Sequence, residues 1–156
     1  MNGRSGDAWV YGPDGARFWG RYGAAGLLLH DPGRGVLLQH RAEWSHFGGT
    51  WGIPGGARHE GEGPVDAAMR EAGEEAGVPA ASVLVRFTSV VDLGFWSYTT
   101  VVAEVAAPVE PVVSDGESLE LSWVPLDRVD ALPLHPAFAT AWPGLRVRLR
   151  VDHRAP

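Results

Sequence analysis

The chain has 156 residues, 45% of them hydrophobic and 21% charged, with a formal net charge of −6 at pH 7. The absence of cysteine excludes disulfide frameworks, thiolate zinc sites and cysteine nucleophiles. An acidic balance argues against holding long nucleic acid by phosphate neutralisation, whereas a small polyanion needs only a metal ion and one or two arginines. No apolar stretch approaches the roughly 20 residues that span a bilayer, and the amino terminus lacks a signal-peptide pattern. We therefore expect a cytoplasmic protein without membrane contact.

Apolar, β-branched runs bounded by glycine and proline turns predict most of the secondary structure. Pro64 suits a first helical position, and Gly77 suits a helix stop. Strands without regular βαβ alternation, around one or two helices, favour an α+β sandwich with a mixed β-sheet. In chain order we expect a hairpin of 9–11 and 17–19, strands over 23–30 and 35–41, a glycine-rich loop over 42–63, a helix over 64–76, strands over 81–91, 96–105 and 119–124, a helical turn over 126–131 and a helix over 134–142.

The segment after Pro143-Gly144 is expected to be extended, because these two residues predict the end of the preceding helix. Residues 145–151 alternate apolar residues with arginine, which is typical of an edge strand guarded by charge. The alternative is a strand that pairs with a second subunit, as in a homodimer. The chain is thus divided into an N-terminal extension or hairpin (1–17), a central domain (18–144) and a C-terminal strand or tail (145–156).

The helix expected over 64–76 carries three glutamates on one face. Glu71, Glu74 and Glu75 lie at i, i+3 and i+4, where like charges cost about 0.2–0.5 kcal/mol per pair. A solvated acidic face is the ordinary interpretation of such a pattern. A mid-helix glycine, Gly73, costs about 1 kcal/mol relative to alanine, and a glycine-rich loop precedes the helix, so a ligand site is favoured. Oxygen ligands without cysteine or clustered histidine suit Mg²⁺, or Mn²⁺, rather than zinc.

Residues 56–78 resemble the Nudix box, G-x5-E-x7-R-E-U-x-E-E-x-G-U, in which U is an aliphatic residue. The two aliphatic positions hold Ala72 and Val78, and Ala72 is small for its place. All fixed positions match: Gly56, Glu62, Arg70, Glu71, Glu74, Glu75 and Gly77. The resemblance implies a Nudix-type α/β/α sandwich over residues 18–144. It also implies hydrolysis of a nucleoside diphosphate linked to another moiety, with the help of a divalent metal.

The resemblance further implies which groups hold the metal. Glu71, Glu74 and Glu75 would be ligands, and a carbonyl of Gly55 or Gly56 would complete the coordination. One of the glutamates, Glu71 or Glu75, would also deprotonate the attacking water. A pyrophosphate bridge repels anionic nucleophiles, so the cation would neutralise its oxygens and orient water in line.

Other box residues would support the site. The resemblance implies that Glu62 and Arg70 pair across the loop and the helix and so fix the box. Glu117 lies where several members have an additional carboxylate that binds metal or acts as the catalytic base. Glu120 is the alternative for that role.

Substrate contacts are expected from the loop before the box and from a later turn. Arg41, at a strand end, is placed to bind phosphate, or else it is a solvated arginine. Trp44, Phe47 and Trp96 would stack on a base, although aromatic residues in β-rich domains more often pack internally.

The partner expected from these features is a small nucleotide. No proline occurs between Pro79 and Pro108, unlike in the ADP-ribose branch of the family, so a nucleoside triphosphate or related nucleotide is favoured by elimination. The alternative function is a non-catalytic nucleotide-binding or sensing module. The single histidines, His46 and His135 among them, show no ligand spacing and are expected to be structural or surface residues.

Overall fold

The computed structural model describes residues 4–113, 116 and 118–154, with side chains as far as residue 151. Its strands are β1 (Trp9–Tyr11), β2 (Arg17–Trp19), β3 (Ala24–Asp31), β4 (Gly35–Arg41), β5 (Trp51–Gly52), β6 (Gly55–Ala57), β7 (Val83–Asp92), β8 (Ser97–Val105) and β9 (Ser118–Val124). A mixed sheet has the strand order β5-β4-β3-β8-β7, with β6 also pairing with β3 and β9 with β4. Strands β3 and β8 are parallel, and the other pairings in this sheet are antiparallel.

Two helices cover the two faces of this sheet. Helix α1 (Pro64–Ala76) packs on the face that carries Leu27 and Leu29, and helix α2 (Pro136–Arg154) packs on the face that carries Leu28. Successive side chains of a strand point to opposite faces, so β3 supplies both cores. The expected α/β/α sandwich with a mixed sheet is confirmed. Within the described ranges, no helix has the length and hydropathy to cross a bilayer.

The helix that carries the glutamates begins and ends where the sequence predicted. Pro64 is its first residue, and Gly77 follows it with φ of 66°, a left-handed conformation that glycine adopts without strain. The Gly77 N–H donates to the carbonyl of Gly73 at 3.1 Å. The buried apolar residues of α1 are all alanines, which lets the helix backbone approach the sheet closely: Ala67, Ala68, Ala72 and Ala76.

The amino-terminal hairpin is also confirmed. β1 and β2 pair antiparallel, with Trp9 opposite Trp19. Short 3₁₀ turns occupy Ala80–Ser82 and Val129–Ala131. The strands and the helical turn predicted between residues 23 and 131 agree with the observed elements to within a few residues.

The carboxyl-terminal segment corrects the sequence analysis. The expected helix stop at Pro143-Gly144 and the strand over 145–151 are both wrong, because α2 runs without a break to Arg154. Phe138, Trp142, Leu145 and Leu149 recur at spacings of four, three and four residues and pack into one core cluster. Their burial offsets the roughly 3 kcal/mol that an internal proline costs a helix. This segment therefore offers no strand for pairing with a second subunit.

Alanine substitutions at 149 and 147 distinguish the helix from the strand. Both side chains would lie on one face of a strand, whereas in α2 Leu149 is 4% exposed and Val147 is 59% exposed. We expect Leu149→Ala to cost about 2–5 kcal/mol of unfolding free energy and Val147→Ala to change it by less than about 0.5 kcal/mol. Urea denaturation measures both. Equal losses would contradict the helical assignment.

Candidate active site

One arginine fastens the loop before α1 to the helix. Arg70 Nε and Nη2 donate to the two carboxylate oxygens of Glu62, each at 2.9 Å. Nη2 also donates to the carbonyl of Ala57 at 3.0 Å, and Nη1 donates to Glu71 Oε1 at 2.9 Å. Hydrogen bonding to Glu62 raises the pKa of Arg70, and the Arg70 hydrogen bond holds the pKa of Glu62 below its usual value. The pairing of Glu62 with Arg70 expected from the sequence is present.

Glu75 is the most deeply placed of the three helix carboxylates, with 3% of the residue exposed. Its Oε2 accepts the Gly55 N–H at 3.0 Å. A buried carboxylate is costly unless it is paired or hydrogen-bonded, so β6 helps to keep this side chain in place. The sequence analysis expected Gly55 to contribute a carbonyl to a metal. The structure shows its N–H on Glu75, and the carbonyl role stays a prediction.

Glu71 lies against the backbone of Gly56. A Cβ added to Gly56 would sit 2.7 Å from the Glu71 carboxyl carbon, well inside van der Waals contact. Glycine at this box position therefore leaves room for the Glu71 carboxylate, and we call the Gly56 backbone the glycine floor of the site. Glu74 is the outermost of the three, with its Oε2 at 3.5 Å from Arg70 Nη1 and 59% of its side chain exposed.

Two of the three carboxylates, those of Glu71 and Glu74, thus lie beside the Arg70 guanidinium, and the third accepts a backbone N–H. Their donor atoms are all hard oxygens, which suit Mg²⁺ or Mn²⁺. In the conformation described for residues 4–113, 116 and 118–151, no three His, Cys, Asp or Glu side chains converge closely enough to hold an ion. The arrangement supplies suitable ligands without gathering them into a coordination shell.

Tyr98 and Arg41 continue the site away from α1. Burial and then the charge of Glu75 raise the pKa of the Tyr98 phenol, while the charge of Arg41 opposes them. The Tyr98 hydroxyl approaches Gly26 so closely that a side chain there would collide with it. Arg41 Nε donates to the carbonyl of His46 at 3.0 Å, which ties the end of β4 to the following loop.

That loop, residues 42–50, presents two aromatic side chains to solvent, and we call it the aromatic loop. Trp44 is exposed, and Phe47 is 43% exposed. Phe47 has φ of 56°, in the left-handed region that bulky residues rarely adopt. Its carbonyl accepts the Thr50 hydroxyl at 2.6 Å, and its ring lies 4.2 Å from that of His46 and 4.7 Å from that of His135. Strained backbone of this kind clusters at binding sites.

His135 links the aromatic loop to α2, a structural role whose contacts the sequence did not predict. Its Nδ1 accepts the Ala137 N–H at 3.2 Å, so its ring caps the start of the helix. Burial, together with the charges of Arg41 and His46, lowers the pKa of His135 to about 4. The ring is therefore neutral near pH 7, with its proton on Nε2. The only sequence signal was its place directly before Pro136, and histidine is not among the favoured capping residues.

The remaining candidate residues are placed apart from this loop. Trp96 Nε1 donates to the carbonyl of Trp19 at 3.1 Å, and the Trp96 ring lies 4.7 Å from that of Phe18. Trp96 thus contacts the amino-terminal hairpin, and its ring also lies 6.2 Å from that of Tyr98. Glu120 is exposed on β9 and pairs opposite His40 in β4. Glu117 lies outside the described residues.

A comparison with known domain families shows which family contains this chain. The model of the NUDIX domain matches residues 20–143. The chain belongs to the Nudix family. Its fixed box residues are those that hold the loop, the glycine floor and α1 together.

Similar proteins agree with this assignment. A Mycobacterium tuberculosis protein named "Putative 8-oxo-dGTP diphosphatase 3" is 52% identical over 151 residues, covering 90% of this chain and 69% of that relative. A Bifidobacterium longum "Nucleoside triphosphate pyrophosphatase/Nudix hydrolase fusion protein" is 45% identical over 152 residues, covering 92% of this chain and 32% of that relative. The solved structure of RenU, a Nudix hydrolase from M. smegmatis, has a TM-score of 0.82 and 52% identity, covering 97% of this chain and 98% of that one. The chain is a Nudix hydrolase that acts on phosphoanhydride bonds.

Gly56→Ala tests the glycine floor beneath Glu71. The added methyl group displaces the carboxylate, and displacement of a catalytic group by about 1 Å costs about 10²-fold in rate. We expect such a loss in kcat, with the fold retained, when nucleotide hydrolysis is followed by phosphate release. Gly63→Ala is the matched control, because an added Cβ at Gly63 meets no atom within 4 Å. Equal activity of the two variants would remove Gly56 from the site.

The cap at His135 predicts an acid-sensitive stability. The unfolded chain takes up a proton at this histidine below about pH 6.5 and the folded chain only near pH 4, so the free energy of unfolding falls as pH falls through that window. His135→Asn keeps a capping acceptor but does not titrate. Between about pH 7 and about pH 4.5, we expect the wild type to lose about 2 kcal/mol more than this variant. Parallel pH profiles in denaturant titrations would contradict the burial of a neutral ring.

Proposed function

We propose that this Nudix hydrolase is a Mg²⁺-dependent pyrophosphohydrolase of a nucleoside triphosphate or a related nucleoside diphosphate derivative. The observation that carries the proposal is the Glu75 carboxylate, almost fully buried and fixed by the Gly55 N–H. It lies on the same helix as Glu71 and Glu74, at the edge of a glycine loop. The name of the M. tuberculosis relative specifies 8-oxo-dGTP, which makes that oxidised nucleotide the first substrate to test.

Glu71, Glu74 and Glu75 would hold the cation, with a carbonyl of Gly55 or Gly56 as a further ligand. When bound, a divalent cation neutralises phosphate oxygens and orients water for in-line attack. Mn²⁺ satisfies the same oxygen ligands and is the expected substitute.

The protein groups around the carboxylates then orient them and deprotonate the attacking water. Arg70 orients Glu71 through its hydrogen bond to Oε1, and the Gly55 N–H orients Glu75. Deprotonation of the attacking water is assigned to one of these two carboxylates, with Glu117 as an additional candidate.

The opposite side of the site holds the rest of the nucleotide. Arg41 would supply a positive charge for a phosphate. It lies at the end of β4, donates to the His46 carbonyl of the loop over 42–50, and its charge acts on the Tyr98 phenol. The exposed rings of Phe47 and Trp44 offer faces for stacking on the base, an interaction worth about 1–3 kcal/mol per base. Phosphates would therefore point toward α1 and the base toward the loop over 42–50.

Glu75→Gln tests the catalytic assignment. Glutamine keeps an oxygen that accepts the Gly55 N–H but removes the negative charge, so the fold should persist while kcat falls by at least about 10²-fold. Asp66→Asn, an exposed change in the first turn of the same helix, is the matched control and should retain wild-type kcat. Both are assayed on a nucleotide panel that includes 8-oxo-dGTP, with and without Mg²⁺, with products identified by mass spectrometry.

The outcomes separate hydrolysis from sensing. Wild-type turnover that requires Mg²⁺ and is lost in Glu75→Gln supports the proposal. Tight nucleotide binding with no turnover of any panel member would instead favour the non-catalytic sensing module. Full activity in Glu75→Gln would contradict the role of the buried carboxylate.

A further inference from the structure

The amino-terminal hairpin lies outside the matched Nudix domain yet contacts the aromatic loop. The domain match begins at residue 20, after β2 has ended. The Trp9 ring nevertheless lies edge-on to that of His46, with centroids 5.2 Å apart. Arg17 places its guanidinium 4.1 Å from the centre of the Trp9 ring. The hairpin therefore forms a side wall of the loop that precedes the box.

His46 connects this wall to the exposed aromatic residue. Its ring lies 4.2 Å from that of Phe47, and its carbonyl accepts the Arg41 Nε–H. Because Phe47 adopts φ of 56°, its ring position depends on neighbours that hold it against backbone strain. Trp9 packs against His46, and His46 packs against Phe47. A continuous chain of ring contacts thus runs from the hairpin to a solvent-facing ring.

The hairpin is itself held in place on its other side. Phe18 lies 4.7 Å from Trp96 and 5.6 Å from Phe95, and Trp96 Nε1 donates to the carbonyl of Trp19. The backbone N–H of Gly20 donates to the carbonyl of Ala8 at 2.9 Å. The hairpin is thus braced between the turn after β7 and the loop over 42–50.

Stabilisation of the core does not account for these contacts. Both core clusters consist of residues from Ala24 onward, together with partly buried side chains that all lie further along the chain. The hairpin also brings Arg17 near His46, where burial, Arg17 and Arg41 lower the pKa of that imidazole.

We propose that the hairpin β1–β2 is a specificity-determining arm of the nucleotide site. Trp9 acts through His46 as a positioning residue that holds the Phe47 ring where the nucleobase stacks. This inference deepens the proposed function and rests on it. The arm acts on binding of the base and leaves the phosphate chemistry at α1 unchanged.

Trp9→Ala tests the arm with a pair of substrates. One substrate is 8-oxo-dGTP, or the panel nucleotide that the wild type hydrolyses best, and the other is the 5-triphosphate of that nucleotide's own pentose (2-deoxyribose for 8-oxo-dGTP), which has the same sugar and phosphates but no base. We expect the KM for the nucleotide to rise about 5- to 10-fold, a part of the stacking interaction with a base, while kcat stays within about twofold. The KM for the base-free pentose 5-triphosphate should not change. Tyr11→Ala, a 65% exposed change on the same strand, is the matched control and should behave as wild type on both substrates.

A second variant removes the same contact between Trp9 and His46 from the side of the loop. His46→Ala should reproduce the nucleotide-specific rise in KM even if Trp9→Ala does not fold. The double variant should show less than the product of the two single effects, because both act through one chain of contacts. Multiplicative effects would overturn the coupling between Trp9 and His46.

The remaining outcomes separate the arm from the function beneath it. An active wild type with Trp9→Ala equal to Tyr11→Ala overturns the arm and leaves the proposed function standing. Equal rises in KM for both substrates, or a fall in kcat on both, reduce the hairpin to a structural support and overturn the inference. A wild type that hydrolyses no nucleotide contradicts the proposed function, and the inference with it.

Discussion

The site depends on one guanidinium that joins the loop before α1 to that helix. Arg70 donates to both oxygens of Glu62, to the Ala57 carbonyl and to Glu71. Paired, charge-assisted hydrogen bonds of this kind fix direction as well as distance. The loop over 57–62 contains too few apolar side chains to pack itself, so the arginine sets where it lies relative to α1. The glycine under Glu71 and the amide that binds Glu75 belong to β6, and the pairing of β6 with β3 holds them.

The box could be predicted from the sequence because its residues have local, type-specific tasks. Gly56 leaves room that any side chain would fill, Gly77 adopts a left-handed conformation, and Glu62 pairs with an arginine eight residues away. Each task requires one residue type at one spacing, so the pattern can be recognised in the sequence before the fold is known. Gly73 is the exception, since an added Cβ would make only ordinary contact, and nothing in the structure requires glycine there.

The aromatic side of the site and the last helix depended on distant contacts. Trp9, His46 and His135 are separated by dozens of residues along the chain. No local pattern indicates that Trp9 packs on His46, or that His46 and His135 both pack on Phe47. The course of α2 was mispredicted because Pro143-Gly144 is a strong local stop, which burial of Trp142 and Leu149 overrides. Local propensity predicts an element well only where tertiary packing does not oppose it.

The alanine face of α1 has a consequence for how this enzyme can change. The alanine methyl groups set the distance between the helix and the sheet. A longer side chain at position 68 or 72 would push α1 away from the sheet and so displace Glu71, Glu74 and Glu75 together. Overpacking of this kind cannot be relieved by rotating one side chain. The loop over 42–50 and the hairpin lie outside that layer, so substitutions there would leave the three carboxylates in place. The sheet side of the acidic helix, in contrast, accepts only small neighbours.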